Sequence, residues 1–220
     1  MTATKAIISN SVNKTKIKFT ATAAADTITI NLKKTITLAS TGNLTFVAGD
    51  DGTGKIVRAS GSWATDFASA PGNRFVTVAS SVNNNRTFSV LSITTTSVAN
   101  DTIVVLEKVV TEGPVGATAT SYESDVAAPG QTVTTPVVDI AGTMWSFGTG
   151  SCNITRNAVS ILNLFGVWWA KEDLSNYSIK QNNTYDIVLT TATAGGTVII
   201  ELNKVGGFAP VYQLRDVERP

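Results

Sequence analysis

The sequence contains no histidine among its 220 residues and only one cysteine, Cys152. Histidine is the commonest general base near neutral pH and a frequent metal ligand, so its absence excludes Ser-His-Asp and Cys-His catalysis and imidazole metal sites. One cysteine can form neither an internal disulfide nor a structural zinc site. We therefore expect a fold that is held together by packing and strand pairing alone.

Charged residues are also scarce, at 15% of the chain against about 25% in ordinary soluble proteins. The 17 basic and 16 acidic residues leave a formal net charge of +1, which predicts no attraction to nucleic acid or to an anionic membrane. No stretch approaches the roughly 20 apolar residues that a membrane-spanning helix needs. Residues 1–25 lack the pattern of a signal peptide, so we expect no export by that route.

Two pairs of adjacent acids, Asp50–Asp51 and Glu172–Asp173, are the remaining candidates for chemistry. They could hold calcium or, if the fold brought them together, act as the acid and base of a glycosidase. Adjacent residues on an extended chain point to opposite faces, and acids commonly decorate solvated turns. We interpret both pairs as turns and predict no enzyme, no catalytic, cofactor-binding or metal residues, and no small-molecule substrate.

Residues 49–55 fit the spacing G-x-x-x-x-G-K of a nucleotide-binding loop. Ile56 stands where that motif needs a hydroxyl, and the residues that follow do not favour the helix that the loop should open. We therefore predict a turn between a strand that ends near Val47 and another that begins at Lys55.

Short, β-branched runs that alternate between apolar and polar residues dominate the rest of the chain. Such runs, bounded by turn residues, are typical of antiparallel strands with one buried face. Asn83–Asn85 is the predicted turn of a hairpin, and Ala170–Ser175 is the best helix candidate. The predicted strands are 26–32, 74–79, 87–93, 102–109, 132–140, 158–164, 184–191 and 197–205.

This pattern predicts an all-β protein with two small antiparallel β-sandwich domains, immunoglobulin-like or jelly-roll-like. The domains are expected at 26–112 and 131–220, joined by a linker at 113–130 that carries a proline near each end. Residues 1–25 are expected to form an extended N-terminal arm. The predicted core residues are Phe75, Val78, Phe88 and Val90 in the first domain and Ile187, Leu189, Val198 and Ile200 in the second.

The predicted partner contacts lie on the arm and on a tryptophan pair. Apolar residues in the arm could add a strand to a partner's sheet, with the lysines at 14, 16 and 18 on the opposite face; an ordinary first strand is the alternative. One of two neighbouring tryptophans on a strand can fill the core while the other reaches a partner. The candidate partner contacts are Ile7, Ile8, Ile17, Phe19, Trp168 and Trp169.

Two segments resemble virion structural proteins of tailed bacteriophages. Residues 54–93 place Trp63 and Phe67 ahead of GNRFVTV, an asparagine-rich turn and TFSVLSI. Residues 156–208 run from RNAVSILNL through NNTYDIVL to GGTVIIELNKVGGF, which is similar to C-terminal domains of small structural proteins from phages of aquatic bacteria. The resemblance implies a non-enzymatic component of the virion, which would be assembled in the host cytoplasm.

Three functions remain open from the sequence. The first is a capsid decoration, or cement, protein on the outer surface of the shell, with the major capsid protein and copies of itself as partners. The second is a tail, tail-tube or adaptor component. The third is a carbohydrate-binding adsorption module, or a sugar-cleaving one, in which Trp63, Trp145, Trp168 and Trp169 would stack on sugar rings. Neither nucleic acid nor a membrane is expected as a partner.

Overall fold

The computed structural model describes residues 3–39, 42–68, 72–95, 101–173, 184–192 and 195–210. Within these ranges the chain is all-β with two antiparallel sheets, as predicted, and the one helix is the short α1 (Trp63–Asp66). Every predicted strand overlaps an observed one. The strands are β1 (Thr4–Asn10), β2 (Lys14–Ala21), β3 (Thr27–Ile30), β4 (Lys34–Ile36), β5 (Leu44–Ala48), β6 (Gly54–Arg58), β7 (Asn73–Ala79), β8 (Thr87–Thr95), β9 (Asp101–Val105), β10 (Glu112–Val115), β11 (Thr118–Ser124), β12 (Gln131–Arg156), β13 (Val159–Asp173), β14 (Ile187–Thr191) and β15 (Gly196–Pro210).

The described residues form two compact units, and these differ from the predicted domains. The described residues within 1–33, 124–128 and 133–208 form the first unit, and those within 34–123, 129–132 and 209–220 form the second. The described part of the predicted arm therefore belongs to the same unit as most of the predicted second domain, and the predicted linker contains β11 and most of β10. The physical reason is that β2 pairs with β15 along its whole length, a long-range contact that periodicity cannot reveal.

The sheet of the first unit has the strand order β1-β2-β15-β12-β14-β3, with β13 paired to β12. β12 and β13 form a long hairpin whose turn residues, Asn157 and Ala158, both have positive φ (49° and 60°), as in a type I′ turn. The prediction of a helix at 170–175 is wrong for residues 170–173. These residues belong to β13, in which Asp173 is paired with Gly142 of β12. Residues 174 and 175 lie outside the described part of the chain.

The core of the first unit lies on one face of its strands. Along β2, Ile17 and Phe19 are buried, and the lysines at 14, 16 and 18 alternate with the buried residues and point outward. The arm prediction is corrected here, since these two residues fill the unit's own core and do not wait for a partner. The predicted core residues Ile187, Leu189, Val198 and Ile200 are all confirmed as buried in this cluster.

The sheet of the second unit has the strand order β10-β5-β6-β9-β8-β7-β11-β4. β5 and β6 form an antiparallel hairpin whose turn replaces the nucleotide-binding loop, as predicted. The Gly49 N–H donates to the Thr53 carbonyl at 2.9 Å, and the Asp51 carboxylate accepts from the Thr53 N–H at 3.0 Å. These bonds close the turn on itself, so Asp51 has a local structural role.

The second unit has its own core, which includes Val78 and Phe88 as predicted. Phe75 is buried against Tyr122, with ring centroids 4.9 Å apart, whereas Val90 is only partly buried at the core's edge. The predicted hairpin between β7 and β8 is confirmed.

The asparagines of that hairpin act in a way the sequence did not suggest. The residue with positive φ in the loop is Ser80, at 65°, and not one of the asparagines. Asn84 is instead fully buried, where its side-chain amide donates to the Val110 carbonyl at 3.0 Å and accepts from the Val110 N–H at 2.9 Å. A buried amide with both functions satisfied fixes the loop in one position.

A buried carboxylate in the second unit predicts an unusual dependence of stability on pH. Burial raises the pKa of Glu107 above its ordinary value of 4.5, although hydrogen bonds from the Ser89 N–H and hydroxyl oppose this shift. A group with a raised pKa in the folded state contributes stability that is present below its unfolded pKa and is lost as the pH rises through the folded one. The Glu107→Gln variant is neutral at every pH and escapes this loss.

We therefore expect the free energy of unfolding of Glu107→Gln to rise relative to the wild type as the pH increases through weakly acidic values. Each tenfold decrease in the acid dissociation constant of Glu107 on folding, which is one pKa unit, corresponds to about 1.4 kcal/mol in the free energy of unfolding. Urea unfolding at a series of pH values measures the difference. Glu112→Gln is the control. The hydrogen bond from the Val82 N–H lowers the pKa of Glu112, so the free energy of unfolding of Glu112→Gln should fall relative to the wild type as the pH increases. A pH-independent difference for Glu107→Gln would contradict the prediction.

Candidate functional site

Four of the six predicted contact residues lie on β1 and β2, and most of them are not available to a partner. Ile17 and Phe19 are buried, and Ile7 packs half-buried against the same core. Ile8 remains 51% exposed, because alternation along β1 turns it to the face opposite Ile7. The register shift between Ile7 and Ser9 leaves Ser9 exposed as well.

β13 carries three exposed apolar side chains, one of which, Trp168, is a predicted contact. Phe165, Val167 and Trp168 are 67%, 50% and 45% exposed, and we call these three residues the β13 strip. In the described part of the chain β13 pairs with β12 only, so it is an edge strand. Residues 159–170 contain no charge, although edge strands are commonly protected by charged residues. The side chain of Trp169 lies outside the described residues.

The β12–β13 ladder brings Trp145 and Trp168 together as direct cross-strand partners. Their rings stack with centroids 6.2 Å apart and an interplanar angle of 24°. The Trp145 indole N–H also donates to the Phe165 carbonyl at 2.9 Å. Two contacts therefore hold the Trp145 ring in one orientation, with its indole hydrogen-bonding group satisfied.

A groove of about 300 Å³ lies beside Trp145, over the middle strands of the first unit's sheet. A smaller cavity of about 30 Å³ shares two of its lining residues. The groove is lined by Lys18, Met144, Trp145, Ser146, Thr197 and Ile199; the smaller cavity is lined by Lys16, Gly142, Thr143, Met144, Ile199 and Glu201. Apolar surface, hydroxyl groups and cations thus converge on one face of the sheet.

The charges around the groove are not balanced. Lys14 and Lys16 both pair with Glu201, at 3.2 Å and 3.3 Å. Lys18 is exposed and has no ion-pair partner in the described ranges. Thr143 is only 1% exposed, and its hydroxyl has no hydrogen-bond partner there. The groove therefore offers one uncompensated cation, and the smaller cavity is lined by a residue with an unsatisfied buried hydroxyl.

Sequence reasoning did not identify this groove. The alternation of β2 placed Lys14, Lys16 and Lys18 on a common outward face, which was the only signal available. The remaining lining residues come from β12 and β15, more than a hundred residues further along the chain. Their proximity depends on which strands are neighbours in the sheet, and that order follows from no local pattern.

The other candidates for chemistry have structural roles or lie outside the description. Trp63 is fully buried in the second core beneath the Arg58 guanidinium, 4.4 Å from its ring centroid, and cannot stack on a sugar. Burial raises the pKa of the Cys152 thiol to about 12, so this residue is no nucleophile near neutral pH. The side chains of Glu172 and Asp173 lie outside the described residues.

Two further kinds of site are absent from the part of the chain that the structure describes. Among these residues, no group of three or more histidine, cysteine, aspartate or glutamate side chains is placed to hold a metal ion. No described helix is long and apolar enough to cross a membrane.

The comparisons with known proteins add no relative. No protein-family model matches the sequence, and no curated protein or solved structure matches it significantly. The function is therefore argued from the residues and their geometry.

Proposed function

We propose that the chain is a non-enzymatic structural protein of a tailed-phage virion, a decoration protein that binds the outer surface of the major capsid shell. The resemblance of residues 54–93 and 156–208 to virion proteins supports the class. The observation that carries the binding role is the exposed β13 strip, which lies on an edge strand that has no charged residue from 159 to 170. Exposed apolar side chains clustered on such an edge are typical of a surface that a partner covers.

Binding at this edge requires neither a catalytic group nor a large net charge. The free edge of β13 would add main-chain hydrogen bonds to a strand of the shell, and the β13 strip would supply aromatic contacts. This role passes to β13 from residues 1–25, since β1 and β2 are paired within the first unit's sheet. The major capsid protein and further copies of the chain are the proposed partners, with assembly in the host cytoplasm.

We further propose that each unit is a small β-sandwich of immunoglobulin-like or jelly-roll-like type. Each unit has its own buried apolar cluster, which must be shielded from water on both sides. A second layer of strands from the same sheet, folded over the cluster, would provide that shielding.

Two alternatives are each favoured by one observation. A tail, tail-tube or adaptor component is favoured by the long β12–β13 hairpin, since such proteins extend hairpins to neighbouring subunits. A carbohydrate-binding adsorption module is favoured by the stacked Trp145–Trp168 pair, whose outer ring is partly exposed.

The decisive test combines particle binding with localisation. Purified protein is mixed with mature shells that lack it, and cryo-electron microscopy locates the added density. We expect density on the outer capsid surface and a loss of binding of about tenfold or more for the double variant Phe165→Ser, Val167→Thr. Val82→Thr is the matched control, because Val82 is 78% exposed but belongs to the second unit and not to the β13 strip.

Each other outcome is informative. Density on the tail would replace the decoration role by the tail component. Undiminished shell binding by the double variant would exclude the β13 strip as the contact surface. Absence of the protein from purified virions would overturn the proposed class altogether.

A further inference from the structure

We propose that the groove beside Trp145 binds an acidic saccharide, meaning a pyranose ring that carries an anionic group. This site shares no lining residue with the β13 strip, although Trp168 of the strip stacks on Trp145, and it does not depend on the virion role. The site comprises the groove and the smaller cavity that shares its lining, and is called the sugar groove below.

The dimensions of the sugar groove suit a small polar ligand. Its volume of about 300 Å³ falls at the lower end of the range that small-molecule sites occupy. Met144, Trp145 and Ile199 line it with apolar surface, against which the carbon-bound hydrogens of a sugar ring can pack. The stacking of Trp145 on Trp168 fixes this wall before a ligand arrives, which lowers the entropic cost of binding.

The polar groups of the sugar groove match hydroxyl groups and an anion. Lys18 supplies an ammonium without a carboxylate partner in the described chain, whereas Lys16 is already paired with Glu201. Ser146 and Thr197 add hydroxyls that can both donate and accept. Thr143 lines the smaller cavity, whose volume of about 30 Å³ is enough for one water; a water held there beneath the ligand would satisfy the buried Thr143 hydroxyl, which otherwise lowers the stability of the fold.

The position of the sugar groove within the sheet disfavours an acidic peptide. The groove lies over β2 and β15, and each of these strands has a neighbour on both sides. Their backbone N–H and C=O groups are therefore used within the sheet and cannot pair with an extended peptide. Recognition must come from side chains on a sheet face, and that arrangement suits a ring with hydroxyls.

A nucleic acid is disfavoured by charge. Nucleic-acid affinity comes mainly from several cations that neutralise successive phosphates. Here Lys14 and Lys16 are engaged by Glu201, which leaves Lys18 as the one unpaired cation that the described residues place at the groove.

Calorimetric titration with matched sugars tests this proposal. The probes are a uronic-acid oligosaccharide, the same oligosaccharide with its carboxylates reduced to alcohols, and a sulfated oligosaccharide of equal length. We expect the uronic acid to bind with a dissociation constant about tenfold lower than that of its reduced form, a difference of about 1.4 kcal/mol. The advantage should shrink as salt is added, because the ion pair is at the surface.

Three variants locate the binding. Lys18→Gln should abolish the advantage of the acidic sugar, while Lys55→Gln, which removes an exposed lysine of the second unit, should leave it unchanged. Thr143→Val keeps the shape of the side chain and removes the buried hydroxyl; we expect weaker binding of both sugars at unchanged or higher melting temperature.

The outcomes decide the proposal independently of the virion role. Equal binding of acidic and reduced sugars, an unaffected Lys18→Gln variant, or no heat with any probe at millimolar concentration would each overturn it. If only the sulfated oligosaccharide binds, the anionic group of the ligand is a sulfate, and the proposal that the sugar groove binds an acidic saccharide is retained. An acidic peptide that binds through Lys18 where no sugar does would replace the saccharide by a peptide. Lys18→Gln should still bind shells, since Lys18 lies outside the β13 strip.

Discussion

Deletion of residues 1–20 is expected to unfold the first unit. The deletion removes β1 and nearly all of β2, which lies between β1 and β15 and pairs with β15 from Lys14 opposite Asn203 to Ala21 opposite Gly196. It also removes Ile17 and Phe19, which are 0% and 1% exposed. Truncation of one such side chain costs about 2–5 kcal/mol, and a domain's total stability is about 5–15 kcal/mol.

Hydrogen exchange measured by mass spectrometry checks this expectation. In the deletion variant the amides of β14 and β15 should exchange at the rate of an unfolded chain. Two point variants serve as matched controls on the same segment. Ile17→Ala should cost about 2–5 kcal/mol, whereas Ile8→Ala, at a side chain 51% exposed, should cost about 0.5 kcal/mol or less. Native protection of β15 in the deletion variant would show that residues 1–20 are a separable arm.

The behaviour of β2 illustrates which parts of the fold could be predicted from the sequence. Alternation correctly placed Ile17 and Phe19 on one face and the lysines on the other. The same pattern is compatible with burial in the chain's own core or in a partner's sheet, because both require one apolar face. The pairing with β15, 175 to 189 residues later, decides between them, and no local property of β2 specifies that pairing.

The unit boundaries escaped prediction for a related reason. Prolines and weak periodicity at 113–130 suggested a linker, and a contiguous division of the chain followed. In the structure, Ser124 donates from its hydroxyl to the Leu32 carbonyl at 2.6 Å, which ties a short middle segment to the first unit. Side-chain hydrogen bonds over such separations leave no periodic signal in the sequence.

Less of the candidate site than of the fold could be predicted. Alternation along a strand predicts that one of Trp168 and Trp169 is buried and the other exposed. Trp168 is 45% exposed, whereas the side chain of Trp169 lies outside the described residues, so this stays a prediction. The stacking partner Trp145 was visible as a nearby aromatic, but its register opposite Trp168 depends on shifts in the β12–β13 ladder. The sugar groove depends further on the order of β2, β15 and β12 in the sheet, which only the structure supplies.

Replacement of Asp125 by alanine is expected to cost about 3–5 kcal/mol, the range for removing one partner of a buried ion pair. The Asp125 carboxylate accepts from the Lys5 ammonium at 2.5 Å and from the Asn31 N–H at 2.6 Å. The side chains of Lys5 and Asp125 are 9% and 1% exposed. Without the carboxylate, the buried ammonium would keep the Thr29 carbonyl as a partner, at 2.9 Å, but no compensating charge.

A double-mutant cycle separates the pair's interaction from the cost of leaving one charge alone. Lys5→Met should destabilise the first unit because Asp125 then loses its cation, yet Lys5→Met combined with Asp125→Ala should cost less than the two single changes added together. A coupling of about 0.5–3 kcal/mol is expected for groups in direct contact, measured by urea unfolding. Lys14→Met is the exposed control: Lys14 also pairs with a carboxylate, that of Glu201, but its side chain is 57% exposed, so its loss should cost about 0–1 kcal/mol. If Asp125→Ala cost no more than Lys14→Met, the pair would contribute nothing beyond a surface salt bridge. β1 would then be held to the first unit by its backbone ladder with β2, by apolar packing and by the side-chain hydrogen bonds of Asn10.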